Sequence, residues 1–293
     1  MAGVEKPVGD GAGAPSERAL PEISLLIPCL NEEQNVPSVV DKLVRLLEET
    51  NLNGEILIID DCSDDYTFRE ALLLSNRYPH VRALHKGLPR GIGHAIRFGL
   101  KHARGRVGVV CMGDAVDPIA AIPDFRARVL EHGADLVLLS RYAEPGDAAT
   151  IPWSYRIYQW LYRQLCRLAV GLPFRDPTYA FRGFNIEFAR SLELRSGGFE
   201  ISPELTLKTW LRGGRIDELR GQQGRRIAGE SKFVFSRQAY GYARVLVAAA
   251  LAYRSGRFER ARRGGASAPV GTHGQADGYW RRSGSRRRST TRR

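Results

Sequence analysis

Val107-Gly108-Val109-Val110-Cys111-Met112-Gly113-Asp114-Ala115-Val116-Asp117-Pro118 decides how the rest of the chain is read. Four apolar-compatible positions run into two carboxylates and then a proline. A buried strand that ends here delivers Asp114 and Asp117 to the open edge of a sheet, where α/β folds place their ligands. Acids so placed suit a hard divalent cation, which takes oxygen ligands and bridges to phosphate. The plain alternative is a strand end with solvated acids and a proline stop. Taken alone, the stretch favours that alternative, because structural acids are common where loops begin. The flanking segments reverse it.

Toward the N-terminus, the pattern predicts strands at 23–28, 55–59 and 81–85 and helices at 36–50, 67–78 and 93–103, with Gly105 as a helix stop. Past the acidic stretch come a helix at 122–132 and a strand at 134–139. Strands alternating with helices of this length imply βαβ units and a mainly parallel sheet. Beyond Arg141 the pattern changes. A long aromatic helix is expected at 153–170, a short strand at 181–184, a helix at 203–211 capped by Ser202, a strand at 216–219 and a helix at 238–254. The expected organisation is a polar N-terminal segment without structure at 1–21, one α/β domain at 22–254, and an Arg-rich disordered tail at 255–293.

The chain has 293 residues, 43% of them hydrophobic, enough for one large α/β domain. Its formal charge of +12 is uneven. The segment from Ser255 to Arg293 holds 11 arginines against Glu259 and Asp277, so +9 lies there and +3 in the remainder. Such a tail binds anionic lipid or nucleic acid, or is simply solvated. Cys29, Cys62, Cys111 and Cys166 form no C-x-x-C pair, which argues against zinc and against a disulfide framework. The first 21 residues lack a signal-type apolar core, and no apolar run reaches the roughly 18 residues that span a bilayer. The expected location is the cytoplasm, with reduced thiols.

Other strand ends carry chemistry too. Ile27-Pro28-Cys29-Leu30-Asn31-Glu32 closes the first strand, where Pro28 cannot donate to a ladder. Ile59-Asp60-Asp61-Cys62-Ser63-Asp64-Asp65 closes the second. Two adjacent carboxylates after an aliphatic run are costly to bury unless paired or bound, and an acid here can accept from a nucleobase or ribose. Asp64 and Asp65 read better as caps of the next helix. Gly91-Ile92-Gly93-His94-Ala95-Ile96 fails the dinucleotide fingerprint, which excludes a nicotinamide cofactor, yet a glycine-rich helix start at Gly93 can approach a phosphate. His94 reads as a solvated helix-start residue. Arg226 to Lys232 places two cations around Gly229, a loop able to close on a diphosphate or to remain simply exposed.

Taken in order, these motifs, with Ser140-Arg141-Tyr142, resemble family 2 glycosyltransferases of the GT-A fold. The pattern is most similar to dolichyl- or polyprenyl-phosphate sugar synthases, over about residues 22–250. The resemblance implies a mostly parallel central sheet flanked by helices that binds a nucleotide-diphosphate sugar. It implies a nucleoside site of Pro28, Glu32, Asp60 and Asp61 with Gly93 nearby. Mg²⁺ or Mn²⁺ would be held on the diphosphate by Asp114 and Asp117, phosphate would be faced by Arg141 and Arg156, and Arg226 and Lys232 would clamp the reacting phosphates. Asp114, Asp117, Arg226 and Lys232 are thus the implied catalytic set. Three positions depart from the pattern: Leu30 replaces an aromatic, Cys62 a glycine, and Asp114-Ala115-Val116-Asp117 the usual Asp-x-Asp.

The function implied is inverting transfer of a sugar to a polyprenyl phosphate, with the protein peripheral on the cytoplasmic membrane face and no specific nucleic acid as partner. Such an acceptor is already ionised and needs no general base. The alternatives are transfer to a glycan or small-molecule hydroxyl, for which Glu200 and Glu204 are candidate bases, and a non-catalytic nucleotide-sugar-binding module. Asp176, before Pro177, matches a position where the resemblance implies an acceptor-side or metal-near acid, and reads equally as a loop cap. The aromatic helix 153–170 and the helix 238–254 read first as packing on the sheet and second as resting on a bilayer surface.

Overall fold

The strands β1 (Ile23–Cys29) and β2 (Gly54–Asp60) are aliphatic runs buried almost throughout. That is the signature of parallel strands covered on both faces. In β1 the side chains alternate between two cores: Ile23, Leu25 and Ile27 join one, Leu26 the other. The first core is completed by α1 (Val36–Glu49), α2 (Thr67–Arg77) and α4 (Ile122–Leu130). The second is closed by α3 (Ile92–His102), α6 (Ile186–Ser191) and α7 (Ile201–Leu211). The computed structural model describes residues 20–114, 116–143, 148, 151–222, 224 and 235–256.

With β3 (Val81–His85), β4 (Val107–Val110), β5 (Leu136–Ser140), β6 (Arg182–Asn185) and β7 (Ile216–Arg220), the sheet has the order β3-β2-β1-β4-β6-β5-β7. Only β6 is antiparallel to its neighbours. The other six strands therefore end on one edge. β1 pairs with β2 from Ile23↔Gly54 to Cys29↔Asp60, but with β4 only from Ile23↔Val107 to Leu26↔Val110. Beyond Leu26 the β4 chain turns away, so the missing N–H of Pro28 falls where no ladder partner needs it.

Several expectations need correction. Gly105 is not a left-handed helix stop. A Cβ there would lie 2.8 Å from the backbone of Ile23 and Ser24, so the glycine permits close approach to β1. Ser202 is not an N-cap: α7 begins at Ile201 with Glu200 in the cap position. The short α6, capped by the Asn185 side chain accepting from the Phe188 N–H, was not read from sequence. Nor does the long aromatic helix α5 (Trp153–Val170) lie on the sheet. Its Tyr162, Cys166 and Val170 pack with α7 and α8 (Phe235–Arg254) in a third core. Of the segments 1–21 and 255–293, expected to lack structure, residues 1–19 and 257–293 lie outside the described residues.

Candidate active site at the sheet edge

The β1–α1 and β2–α2 loops are joined side by side at the sheet edge. The Asn31 N–H donates to Ser63 Oγ at 3.0 Å, and the Asp64 N–H donates back to Asn31 Oδ1 at 2.8 Å. The Glu32 N–H donates to Thr67 Oγ1 at 2.8 Å, while Glu32 Oε2 accepts from Asn35. Asn31 and Cys62 both hold positive φ, 51° and 60°. Left-handed backbone at Cys62 is the physical reason a glycine would suit this position. Tyr66 holds the cap position of α2, with Asp65 beside it accepting from the Thr67 N–H at 3.0 Å, whereas Asp64 pairs with Arg90.

Asp60 and Asp61 are buried, and each has a cationic or ionisable partner. Asp60 Oδ2 is 2.7 Å from His85 Nδ1, and its Oδ1 accepts from the Ser63 N–H. Asp61 lies 2.7 Å from Lys86 Nζ and accepts the Gly91 N–H at 2.6 Å. Lys86 Nζ also donates to the carbonyls of Gly87 and Pro89. His85 and Lys86 were absent from the sequence reading. The β2–β3 register, which local sequence does not fix, sets His85 opposite Asp60.

Gly93 has a different use from the one expected. Its N–H donates to the Gly197 carbonyl at 2.9 Å, and a Cβ there would lie 2.5 Å from Ser196 O. The start of α3 is therefore closed by the 196–198 loop rather than presented to a phosphate. His94 is half-buried against that loop, and burial lowers its pKa.

The acidic stretch lies against β1: a Cβ on Gly113 would be 3.2 Å from Cys29 Sγ and 3.6 Å from Glu32 Cγ. Asp114 is buried at 7% exposure. Asp117 accepts from the Met112 N–H at 2.6 Å and from the Tyr179 hydroxyl at 2.8 Å, one on each oxygen. Burial, with the Asp114 charge adding to it, pushes Asp117 up to about 7. Two acids this close at a strand end fit a divalent cation. Among the described residues no group of three or more His, Cys, Asp or Glu forms a cage, so further oxygens would have to come from a diphosphate and water.

Arg141, just past β5, grips Asp176 with two guanidinium nitrogens, at 2.7 and 3.2 Å. Burial opposes the charged guanidinium, but Asp176 holds the Arg141 pKa above its ordinary value. Asp176, fully buried, also accepts from the Arg141 N–H and the Thr178 hydroxyl, each at 3.3 Å. Arg156 is exposed on α5, close enough to Tyr142 for its charge to act on that phenol. Arg226 and Lys232 lie outside the described residues, but the segment leading to them is anchored here. The Gly221 N–H donates to Ser140 O, and the Gly224 N–H donates to Val116 O at 2.8 Å.

The two candidate bases are otherwise engaged. Glu204 accepts from the N–H groups of Arg195 and Ser196 and is 2.7 Å from Lys208 Nζ. Burial alone would raise its pKa, yet Lys208 and these donors hold it below the ordinary carboxylate range. Glu200 accepts from the Gly198 N–H and faces Arg244 at 3.4 Å.

Comparison with known proteins gives the family and the fold. The model of the Glycosyl transferase family 2 matches residues 24–192. A dolichol-phosphate mannosyltransferase of Pyrococcus furiosus is 30% identical over 213 residues, 72% of this chain and 59% of that protein. The chain thus spans less than two thirds of that relative's length. An undecaprenyl-phosphate mannosyltransferase of Micrococcus luteus is 28% identical over 212 residues, 71% of this chain and 85% of that one. Among solved structures, the glucosyl-3-phosphoglycerate synthase of Mycobacterium tuberculosis, in complex with Mn²⁺, uridine diphosphate and phosphoglyceric acid, aligns with a TM-score of 0.57 at 20% identity, covering 80% of this chain and 79% of that chain. This likeness shows the fold, the expected GT-A architecture.

Proposed function

The chain belongs to glycosyl transferase family 2, and we propose that it transfers a sugar, with inversion, from a nucleotide-diphosphate sugar to a polyprenyl phosphate at a membrane surface. In this reading an oxygen of the lipid phosphate forms a bond to the anomeric carbon. The bond from that carbon to the diphosphate breaks, and its electron pair leaves on the nucleoside diphosphate. Pro28, Glu32, Asp60 and Asp61 shape the nucleoside end. Asp60 and Asp61, oriented by His85 and Lys86, are aimed by the β2 terminus. Asp114 and Asp117 are the residues for Mg²⁺ or Mn²⁺, hard cations that take carboxylate oxygens. The ion, when bound, offsets charge on the departing diphosphate. Arg141 and Arg156, with Arg226 and Lys232 from the loop that follows Gly224, supply cations for the phosphates.

One observation carries the lipid acceptor. The helix α5 exposes Trp153, Ile157, Trp160, Leu161, Leu165 and Leu168, all on one face. Its partner α8 exposes Tyr240, Val247 and Leu251. Neither helix has an acidic residue, and Arg156, Arg163 and Arg167 flank the α5 face. An apolar, acid-free face edged by arginines and carrying tryptophans suits the interface of an anionic bilayer. No helix of the described residues is long and apolar enough to cross a membrane. The engagement of Glu200 and Glu204 also favours an acceptor that needs no base.

The test is incorporation of label from a nucleotide-sugar panel, including GDP-mannose and UDP-glucose, into an organic-soluble product. Incorporation that requires both undecaprenyl phosphate and Mg²⁺ or Mn²⁺ is expected. Label passing only to water-soluble hydroxyl acceptors would overturn the lipid acceptor.

A further inference from the structure

Tyr179 belongs to no motif in the sequence, yet it joins the two halves of the site. It is buried, at 6% exposure, in the turn between Asp176 and β6. Its hydroxyl donates to Asp117 Oδ1 at 2.8 Å, which ties it to the acidic loop. Its ring lies under the Arg141 guanidinium, 4.1 Å from centroid to Cζ, which ties it to the Arg141–Asp176 pair. The backbone beneath is clamped by Arg182, which is fully buried in β6. Arg182 donates to the Tyr179 and Pro177 carbonyls, to Ser202 O at 2.7 Å and to Thr206 Oγ1 at 2.8 Å. Tyr179 therefore sits on a rigid base and touches both Asp117 and Arg141.

Resting on the function proposed above, we propose that Tyr179 is a positioning residue that sets the separation and orientation of the donor-side acidic loop relative to the acceptor-side Arg141. The physical ground is in-line geometry. The sugar carbon is presented from the Asp114 side and the incoming phosphate from the Arg141 side. Misplacing reacting groups by about 1 Å costs on the order of 100-fold in rate. The Met112 N–H still holds one Asp117 oxygen when the Tyr179 hydroxyl is absent, and Gly224 still holds the Val116 carbonyl, so the acidic loop stays folded but loses its side-chain link to Arg141.

The test compares Tyr179→Phe, which keeps the ring under Arg141 and deletes only the hydroxyl, with Tyr179→Leu, which removes both contacts. Transfer from GDP-mannose or UDP-glucose, whichever the wild type uses, to undecaprenyl phosphate is measured beside hydrolysis of the same donor without acceptor. For Tyr179→Phe, kcat for transfer should fall about 10- to 100-fold with little change in KM, and hydrolysis should fall by a smaller factor. Tyr179→Leu should lose more. A purely structural role predicts instead that transfer and hydrolysis fall together, in step with a lower Tm, and that result would overturn the proposal. Asp117→Asn gives an independent check, since it weakens the same hydrogen bond from the other side. The double variant Tyr179→Phe/Asp117→Asn should be no slower than the worse single, whereas additive losses contradict the link. A wild type that transfers no sugar to lipid phosphate overturns the functional reading and this inference with it. A wild type that transfers, matched by Tyr179→Phe, overturns the inference alone.

Discussion

Asp114 and Asp117 lie three residues apart yet have different surroundings, and that difference makes them separable by mutation. Asp114→Ala should reduce turnover by about 100-fold or more, with an unchanged melting curve, because the loop edge contributes little to either core. Glu204 should behave in the opposite way. Glu204→Gln loses the Lys208 ion pair and weakens two N–H contacts, so thermal or urea unfolding should show a loss of about 1–3 kcal/mol while turnover of the folded fraction persists. A stable but inactive Glu204→Gln would revive the general-base alternative. Asp117 also predicts a pH effect on stability. Its folded pKa of about 7 lies above the unfolded value, so the unfolded chain loses its proton first. Stability from this group should fall as pH rises from about 4 to about 7 and level off above. Melts of wild type against Asp117→Asn across that window check the sign: the wild-type Tm should decline relative to the variant. At this scale the carboxylates were legible in sequence because an acid after an aliphatic run is conspicuous. Tyr179, Lys86 and Arg182 were not, because their partners are set by strand order and loop packing rather than by local sequence.

The strands and most helices could be read from hydrophobic period, since the core positions repeat at spacings of two and near four. What failed was the purpose of particular residues within elements. Gly93 looked like a phosphate-binding helix start, but it is small because the 196–198 loop crosses it. Gly105 looked like a helix stop, but it lets the chain pass β1. Gly105→Ala should therefore destabilise the fold by about 1–3 kcal/mol, since the added carbon meets backbone that cannot yield. An unfolding curve superimposable on wild type would show that the crossing relaxes. The aromatic helix α5 misled in a similar way. Its tyrosines face inward and its tryptophans outward, and the full set of aromatics read together suggested packing on the sheet. Trp153 and Trp160 are 74% and 54% exposed. Replacing both with Glu should leave the melt unchanged and lower partitioning onto phosphatidylglycerol vesicles by about 10-fold or more. Unchanged partitioning would remove α5 from the membrane face.

For the whole molecule, parallel topology is what turns separate motifs into a site. Six strands end on one edge, so loops distant in sequence deliver Glu32, Asp60, Asp61, Asp114, Asp117 and Arg141 to the same region. That convergence was foreseeable from alternating strands and helices. The antiparallel insertion of β6 between β4 and β5 was not, because a four-residue strand has no periodic signature of its orientation. It is this insertion that carries the Asp176–Arg182 segment back under Arg141. The most direct test of the lipid-phosphate transfer proposed here is the identity of the product. The full chain, undecaprenyl phosphate in phosphatidylglycerol vesicles, Mn²⁺ and the donor it turns over should yield one new lipid, read by mass spectrometry. Its mass should equal the lipid phosphate plus one glycosyl residue (the sugar less water), the link should be an acid-labile phosphodiester, and the anomeric configuration should be opposite to the donor's. Sugar found only on a hydroxyl, with the lipid phosphate unchanged, would contradict it.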